Sequence, residues 1–524
     1  MRETPQDMPE LVAQEASKSS GNQDWQVQIN LDRVRAEDEF DVIVIGSGIG
    51  GLGCAGFLSK RGYRVLVLEH RSKAGGYYRS FDKDDVFFFN TGAIQITGLW
   101  PGGPFSLFLE DLGFKASDFF VRNSLDYQVA GVHYSPHAGV ETFSDELARS
   151  FPDEQGNIKA FFDDAGQAHD EWFAESMTYG VPLPPETIAR ISGEAGLEKH
   201  LHASPHYLDW RGKSLKQKLE GTFDTENIIR VLGSILSQPY GDLGSTSGLA
   251  ALHAYAFIRY GSHFPREGAG KLARAIVEQI EKNGGKVLLE RMVDSIVTDQ
   301  GTIVGVKSGD EIFRSPAVVS NASIKKTMLE LVDPRGLDAR YVEGIHALKM
   351  HRSYCIAFLG IDQDLSAYPS MSLVEDEQDG DFVLLSINSN ADPYHAPEGQ
   401  ASMTMIAEAA YADFPERETP EYDAKKLAWA DHLIDVGSRI IPGLREHIIV
   451  NHPATPKTLE RYTLAPEGSA LGISWSTAAE LPGFKTPIQG LYLAGASTYP
   501  GAGVDNALNS ALLCALDVSG WKPR

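Results

Sequence analysis

Asp41-Val-Ile-Val-Ile-Gly-Ser-Gly-Ile-Gly-Gly51 is the most informative segment of this 524-residue chain. Its first half is a short run of β-branched apolar residues, which is typical of a strand buried on both faces of a sheet. Its second half predicts a glycine turn that opens a helix, and a second apolar run follows at residues 63–68. This order of strand, turn, helix and strand is a βαβ unit, so the sequence predicts an α/β fold.

The glycines of this turn have the spacing of a dinucleotide-binding fingerprint. Gly46 permits the tight turn, Gly48 allows the backbone to approach a pyrophosphate, and Gly51 lets the helix pack closely on the strands. The free N–H groups at the start of the helix attract phosphate. Glu69 follows about 20 residues later, at the end of the second strand, where it can accept hydrogen bonds from a ribose diol. The segment therefore predicts a bound dinucleotide.

The composition excludes several classes of protein. A hydrophobic share of 42% and a charged share of 23% fit a folded enzyme and not a disordered regulator. The net charge of −24 disfavours nucleic acid and anionic membrane surfaces as partners. The three cysteines form no CxxC pair, which argues against a disulfide framework, structural zinc or a dithiol centre. Because neither a transmembrane segment nor a secretion signal is visible, we expect a cytoplasmic enzyme, with residues 1–37 as a mobile arm.

Two further glycine-rich segments bear on the kind of dinucleotide. Gly75-Gly76 follows the acidic residue closely and lets the chain pass beside a pyrophosphate. Arg79 is near enough to offer that pyrophosphate a charge-assisted hydrogen bond, and a solvated surface arginine is the alternative. Near the carboxyl end, Gly490-Leu-Tyr-Leu-Ala-Gly-Ala-Ser-Thr-Tyr-Pro-Gly-Ala-Gly-Val504 predicts a buried strand, a glycine turn and a helix whose amino end faces an electron-rich ring.

In combination, these segments resemble the phytoene desaturase, carotenoid isomerase and retinol saturase family of FAD-dependent oxidoreductases. Other motifs in the same order strengthen the resemblance, which covers about residues 40–518. They are Phe264-Pro-Arg-Glu-Gly-Ala-Gly270, the glycine pair and strand of residues 284–296, Val319-Ser-Asn-Ala322, and Thr455-Pro-Lys-Thr458 followed by Arg461-Tyr462.

The resemblance implies FAD bound in extended form by a Rossmann-type domain similar to that of glutathione reductase, with an interleaved mixed α+β substrate domain. The FAD-binding domain is expected at residues 38–130, 265–325 and 480–520, and the substrate domain at 131–264 and 326–479. The resemblance also implies which residues contact FAD: Gly46, Ser47, Gly48, Ile49, Gly50, Gly51, Glu69, His70, Gly75, Gly76, Arg79, Val293, Gly495, Ala496, Gly503 and Val504.

The chain departs from the family pattern at two places. Asn90 stands where relatives often have Asp, and Asp505-Asn506 follows Val504 where many relatives have small residues or Pro. Both changes fall where the flavin and the substrate should meet, which leaves the identity of the substrate open. Asp505 is the candidate catalytic residue, because a carboxylate there can exchange protons with substrate or tune the flavin. The alternative is an acidic first-turn residue favoured by the helix dipole.

The histidines give no metal site by spacing. His200, His202 and His206 lack a suitably spaced acidic ligand, so we interpret them as surface residues. His253 recurs with Phe257 and Tyr260 at helical spacing, which more often reflects core packing than a substrate cavity. We therefore expect His253 to be a satisfied core histidine, and we expect no metal.

The predicted function is that of an FAD-dependent oxidoreductase acting on carbon–carbon bonds of an apolar, polyene or lipid-like substrate. Desaturation, saturation and cis–trans isomerisation remain open, as do the oligomeric state and peripheral membrane contact. No second GxGxxG is present, so NAD(P)H, oxygen or a quinone would exchange electrons with the flavin by direct encounter. The alternatives are a flavin amine oxidase and a non-catalytic lipid carrier of the Rab GDP-dissociation-inhibitor type.

Overall fold

The computed structural model describes residues 40–129, 131–136, 139–237, 242–376, 382–475 and 481–524. The arm expected at residues 1–37 lies outside these ranges. In the described ranges the strands are β1 (Val42–Ile45), β2 (Val65–Leu68), β3 (Ser80–Lys83), β4 (Phe87–Asn90), β5 (Phe120–Asn123), β6 (Asp126–Val129), β7 (Val132–Tyr134), β8 (Ser262–Pro265), β9 (Lys286–Leu288), β10 (Ser295–Asp299), β11 (Thr302–Ser308), β12 (Glu311–Arg314), β13 (Val318–Ser320), β14 (Ser353–Ile361), β15 (Met371–Glu375), β16 (Phe382–Ile387), β17 (Ala401–Ala409), β18 (Ile448–Ala454) and β19 (Leu491–Leu493).

The helices lie mainly between the strands and after the last one. They are α1 (Ile49–Lys60), α2 (Pro104–Leu112), α3 (Val140–Ser150), α4 (Gln155–Trp172), α5 (Ser176–Tyr179), α6 (Pro185–Ala203), α7 (Pro205–Arg211), α8 (Leu215–Glu220), α9 (Glu226–Ser237), α10 (Gly248–Tyr260), α11 (Gly270–Lys282), α12 (Ile324–Lys326), α13 (Ala339–Ala347), α14 (Asn388–Ala391), α15 (Pro420–Ile440), α16 (Pro456–Thr463) and α17 (Val504–Ser519). None of the helices in the described ranges combines the length and the apolar character that crossing a bilayer requires.

A parallel five-stranded sheet, in the order β19-β13-β1-β2-β9, is built around the first predicted strand. All four residues of β1 are buried, as a strand covered on both faces requires. Val42 and Val44 pack on one face with α1, and Ile43 and Ile45 pack in a separate core on the other. Helix α1 is in turn covered by α11 and α17. The predicted α/β fold with a βαβ start is therefore confirmed.

A second, seven-stranded sheet has the order β18-β14-β17-β16-β15-β6-β7. Its pairs are antiparallel except for β15 with β6, which run parallel. Strand β6 precedes the expected domain boundary at residue 130, yet Tyr127 pairs with Leu373 in this sheet. The faces of its strands alternate, so Ala357 and Leu359 pack against α15 in a core of their own while Tyr354 and Ile356 point the other way, into a cavity.

Candidate functional site

A cavity of about 380 Å³ lies where the two sheets face each other. One end is formed by Ile45 and Leu68 at the carboxyl ends of β1 and β2, and by the turn that follows β19. The other end is formed by residues of the seven-stranded sheet. Ligands of open α/β sheets bind outside the carboxyl ends of the parallel strands, so this cavity is the candidate site.

Most of the residues expected to contact a cofactor line this cavity. They are Gly46, Gly48, Ile49, Gly50, Glu69, His70, Gly75, Gly76, Val293, Gly495, Ala496, Gly503 and Val504, together with the candidate catalytic residue Asp505.

Three of the expected residues, Ser47, Gly51 and Arg79, are not in the cavity wall. The side chain of Ser47 turns away and binds Glu69. A Cβ on Gly51 would lie 2.1 Å from the carbonyl oxygen of Gly46, so this glycine serves the close packing of helix on turn. Arg79 donates from Nη1 to the carbonyl of Lys73 at 3.2 Å. These three residues therefore act behind the wall.

Asn321, at the end of β13, ties together the two glycine turns. A Cβ on Gly48 would lie 2.6 Å from its Nδ2 atom, and a Cβ on Gly50 or Gly495 would lie 2.5 or 2.6 Å from its Oδ1 atom. Only glycine at these positions leaves room for the amide between the turns. Asn321 also lines the cavity. Its motif was recognised in the sequence, but this role was missed because the three glycines are distant from it along the chain.

Glu69 is buried behind the glycine turn and accepts four hydrogen bonds. Its Oε2 atom accepts from the backbone N–H of Ser47 at 2.9 Å and from Oγ of Ser47 at 2.6 Å. Its Oε1 atom accepts from the N–H of Arg71 at 2.8 Å and lies 3.0 Å from Nδ1 of His70. Burial alone raises the pKa of Glu69, but the hydrogen bonds from His70, Ser47 and Arg71 outweigh it and lower the pKa to about 2. The carboxylate is ionised and holds the turn in place.

Two arginines make this end of the cavity suitable for a polyanion. Within the described ranges, the Nε atoms of Arg71 and Arg79 are buried and have no hydrogen-bond partner. Burial lowers the pKa of Arg79, and the neighbouring charge of Arg71 lowers it further. A diphosphate in the cavity could accept a hydrogen bond from Nε of Arg71, which lines the wall, and its charge would relieve the repulsion between the guanidinium groups of Arg71 and Arg79. The donor set thus fits the pyrophosphate of a dinucleotide.

The far wall of the cavity is an apolar row that crosses five strands. Ile356 pairs with Ile406, which in turn pairs with Leu384. Leu384 pairs with Leu373, and Leu373 pairs with Tyr127. All five side chains line the cavity. Because neighbouring strands are about 4.8 Å apart, the row forms an apolar floor about 19 Å long.

Asp505 and His253 form a buried pair in the same cavity wall. Nε2 of His253 lies 2.8 Å from both carboxylate oxygens of Asp505, and each residue is 3% exposed. Asp505 does lie in the first turn of α17, as the alternative interpretation held. The expectation for His253 needs a correction: it is buried and satisfied, but its partner is Asp505 and it lines the cavity. No local signal relates residues this far apart in the chain.

The remaining candidates lie elsewhere. His200 and His202 belong to α6, and His206 on α7 lies 2.6 Å from Asp164. Among the described residues, no group of three or more His, Cys, Asp or Glu side chains is arranged to hold a metal ion. All three cysteines fall in described segments and are buried and free, and Cys514 contacts Cys54.

Comparison with known proteins agrees with this geometry. The profile of the family described as flavin containing amine oxidoreductase matches residues 49–519. The chain belongs to this family. It is therefore an FAD-dependent oxidoreductase, and the cofactor predicted from the sequence is confirmed.

Two curated relatives of this flavoprotein match over most of their length. Prolycopene isomerase 2 of an Oncidium hybrid cultivar is 26% identical over 92% of this chain and 84% of that protein. The all-trans-retinol 13,14-reductase of Danio rerio is 27% identical over 92% of this chain and 86% of that protein. The resemblance to carotenoid isomerases and retinol saturases is thereby confirmed.

Solved structures share the fold of this flavoprotein at lower identity. An oxidoreductase from Methanosarcina mazei has a TM-score of 0.63 at 18% identity, covering 90% of this chain and 99% of that chain. A putrescine oxidase bound to putrescine has a TM-score of 0.61 at 16% identity, covering 92% of this chain and 99% of that chain. These likenesses concern the fold alone.

Proposed function

We propose that this flavoprotein acts on carbon–carbon bonds of an apolar, polyene or lipid-like substrate, by desaturation, saturation or cis–trans isomerisation. The observation that carries the proposal is the apolar floor of Ile356, Ile406, Leu384, Leu373 and Tyr127, which leads to the glycine turns. Its length of about 19 Å suits an extended chain of conjugated carbons. The relatives named for prolycopene and all-trans-retinol support the same class of substrate.

FAD supplies hydride exchange at N5 of its isoalloxazine ring when it is bound. We propose that the cavity-lining residues expected from the sequence hold it, with Arg71 and Arg79 balancing the charge of the pyrophosphate. Glu69 would bind the adenosine ribose, for which the hydroxyl of Ser47 must turn from the carboxylate to make room. Val293 would contact the adenine, and Gly503 and Val504 would contact the ribityl chain and flavin.

The protein's own contribution would be to orient the reacting bond and keep water away. Ile406 and Leu384, at the centre of the floor, offer the substrate no hydrogen bond, so a double bond would be held by packing alone. Asp505 would be the charged group that meets the substrate at the opposite wall. We retain the expected division into an FAD-binding and a substrate-binding domain, and we assign strand β6 to the latter.

A flavin amine oxidase is the second candidate, favoured by the family match and the likeness to putrescine oxidase. Such an enzyme needs to receive an amine. The carboxylate in the sheet wall of the cavity, Glu408, lies 3.5 Å from Nη1 of Arg352, which balances its charge. Cys514 is buried against Cys54 and is therefore unsuited to bind a flavin covalently. These contacts favour the carbon–carbon chemistry.

Mass spectrometry of the small molecules released by denaturing the freshly purified protein tests the proposal. We expect FAD together with an apolar polyene or lipid. FAD with a polar amine would favour the amine oxidase instead. A folded sample that releases no FAD would overturn the proposed function and revive the lipid carrier.

The same purified protein identifies the redox partner. NAD(P)H, oxygen and a quinone are the proposed candidates, and each would be mixed in turn with the reduced or oxidised flavoprotein while the flavin absorbance is followed. We also propose a reducing, cytoplasmic compartment, because all three cysteines are buried and free.

A further inference from the structure

We propose that His253 is a positioning residue that holds Asp505 so that the Asp505 carboxylate exchanges one proton with the substrate. This inference rests on the proposed function, because it concerns the same cavity and the same carbon–carbon chemistry. Nε2 of His253 lies at 2.8 Å from both Oδ1 and Oδ2. A single imidazole nitrogen that contacts both oxygens holds the carboxylate in place.

Three elements position the pair. Helix α10 begins after Ser247, whose Oγ accepts from the N–H of Ala250 at 3.1 Å, and this cap places His253 in the second turn. Asp505 follows Gly503, whose φ of +104° suits glycine, at the start of α17. The third element is the segment at Gly98, which has a φ of +81° and packs against Asp505.

Two glycines make the room that the pair occupies. A Cβ on Gly503 would lie 2.9 Å from Cε1 of His253 and 3.3 Å from Oδ1 of Asp505. A Cβ on Gly98 would lie 3.2 Å from Cβ of Asp505. The close fit on both sides indicates that the pair, as it stands, requires glycine at both positions.

Among the described residues, ionisable side chains lie on the helices that carry or face the pair. On α4, His169 faces His253, and the repulsion between the two imidazoles adds to burial in lowering the pKa of His169. Helix α10 also carries Tyr255, Arg259 and Tyr260, and the later part of α17 carries Cys514 and Asp517, whereas residues 97–103 carry no ionisable side chain.

Polar atoms continue from the pair along α17. Asn509 follows Asp505 by one turn on the same face, and it is 1% exposed. In the part of the chain that the structure describes, neither amide atom of Asn509 has a hydrogen-bond partner, and the same holds for Oγ1 of Thr97 next to Gly98. Asn509 and Thr97 thus place buried polar atoms without partners on the two segments that carry Asp505 and Gly98.

The chemistry balances with one proton. When a carbon–carbon double bond is saturated, its π bond breaks, one carbon forms a bond to a hydride and the other forms a bond to a proton. The two electrons would travel with a hydride that reduced FAD would supply, and the proton would come from the Asp505–His253 pair, which would take another from solvent. In desaturation the same proton moves from the substrate carbon to Asp505.

The test measures the midpoint potential of bound FAD against pH in four holoproteins. These are the wild type, Asp505→Asn, His253→Gln, and His206→Gln as a control that removes a histidine–aspartate contact outside the cavity wall. Reduction places negative charge beside the pair, so the wild-type pair takes up a proton and steepens the curve. Asp505→Asn should lose that proton's contribution, and His253→Gln should keep it but shift the pH at which it occurs. His206→Gln should follow the wild type.

Coincidence of all four curves with FAD bound would overturn the inference and leave the proposed function standing. Absence of FAD from the wild type would instead overturn the proposed function. Asp505→Glu guards against loss of cofactor from the amide variant, because it keeps the charge and should keep the proton's contribution to the slope. An Asp505→Glu curve that shows the same reduced slope as Asp505→Asn would also contradict the role of the carboxylate.

Discussion

Individual residues of the glycine turn are constrained more tightly than its motif shows. Glu69 was expected to meet a ribose, and in the structure it accepts hydrogen bonds from Ser47 and from the N–H of Arg71. The carboxylate therefore holds the end of β2 to the turn before any ligand arrives. Those hydrogen bonds favour the ionised carboxylate and lower its pKa to about 2.

Replacing Glu69 with Gln should destabilise the protein in a pH-dependent way. A carboxyl whose pKa is about 2 in the folded protein, against an ordinary value of 4.5, stabilises the fold fully above pH 4.5 and loses that effect as the pH falls toward 2. The contribution at neutral pH is about 3 kcal/mol. Urea unfolding of the wild type and Glu69→Gln should differ most at pH 7 and progressively less toward pH 3.5. Exposed Glu220→Gln should show no such trend.

The contact between Asn321 and the glycine turn leads to a second prediction, which concerns the affinity for FAD. Gly48→Ala places a methyl group 2.6 Å from Nδ2 of Asn321, so the amide must move away from its place between the turns. We expect at least a 10-fold loss of FAD affinity, measured by titrating the apoprotein, which corresponds to about 1.4 kcal/mol. Gly156→Ala, where nothing lies within 4 Å of the new Cβ, is the matched control. An unchanged affinity in Gly48→Ala would contradict the role of Asn321.

At the level of elements, strand register creates the substrate wall. Residues of five strands lie in one row because the strand pairings align. Successive side chains along each strand point to opposite faces of the sheet, so the residues next to the row face α15. Three of the five strands are visible in the sequence as apolar runs, at residues 353–360, 382–387 and 401–406, whereas β15 and β6 were not predicted. The order of the strands in the sheet was not visible, because pairing depends on contacts distant in sequence.

A charge in the middle of this row should abolish binding of an apolar ligand while FAD remains bound. Ile406→Lys introduces an ammonium group into the row that contains Ile356 and Leu384, where the apolar neighbours and an apolar ligand offer it no hydrogen bond. We expect all-trans-retinol fluorescence, used as a probe of binding, to show at least a 10-fold weaker affinity in this variant. Ile449→Lys, at a site that is 54% exposed, should bind as the wild type does. Equal affinities in the two variants would place the ligand elsewhere.

At the level of the whole molecule, the cavity joins the two sheets, so a ligand that fills it stabilises both. The polar end of the cavity is set by the βαβ unit, and the apolar end by the seven-stranded sheet. A net charge of −24 acts over the entire surface, whereas Arg71 and Arg79 concentrate positive charge at the site. The protein therefore combines an acidic exterior with a local attraction for a dinucleotide.

FAD added to the apoprotein should raise its melting temperature. Binding to the folded state alone stabilises by about 2.7 kcal/mol when the free ligand is at 100 times its Kd. Riboflavin, which lacks the diphosphate and adenosine, cannot use Arg71, Arg79 or Glu69 and should produce a much smaller shift at the same concentration. Thermal unfolding followed by circular dichroism measures both. Equal shifts would mean that the pyrophosphate end contributes nothing to binding.

Patterns of residues close in sequence predicted the elements of the dinucleotide-binding fold. The run from Asp41 to Gly51, the acidic residue Glu69 and the last glycine turn predicted the βαβ unit, the dinucleotide and the terminal helix, because a turn, a cap or a buried strand is specified by neighbours along the chain. The cavity includes most of the residues expected on this basis. The three exceptions, Ser47, Gly51 and Arg79, lie just behind its wall.

Tertiary packing decided the rest. The apolar floor depends on which strands pair and in what register, and the contact between His253 and Asp505 depends on α10 meeting the start of α17. Helical spacing identified His253 correctly as an inward-facing residue, but spacing along one helix contains no information about what the opposite element presents. The chain's local chemistry therefore determines that a dinucleotide is bound, and only the meeting of distant elements determines which groups face its substrate.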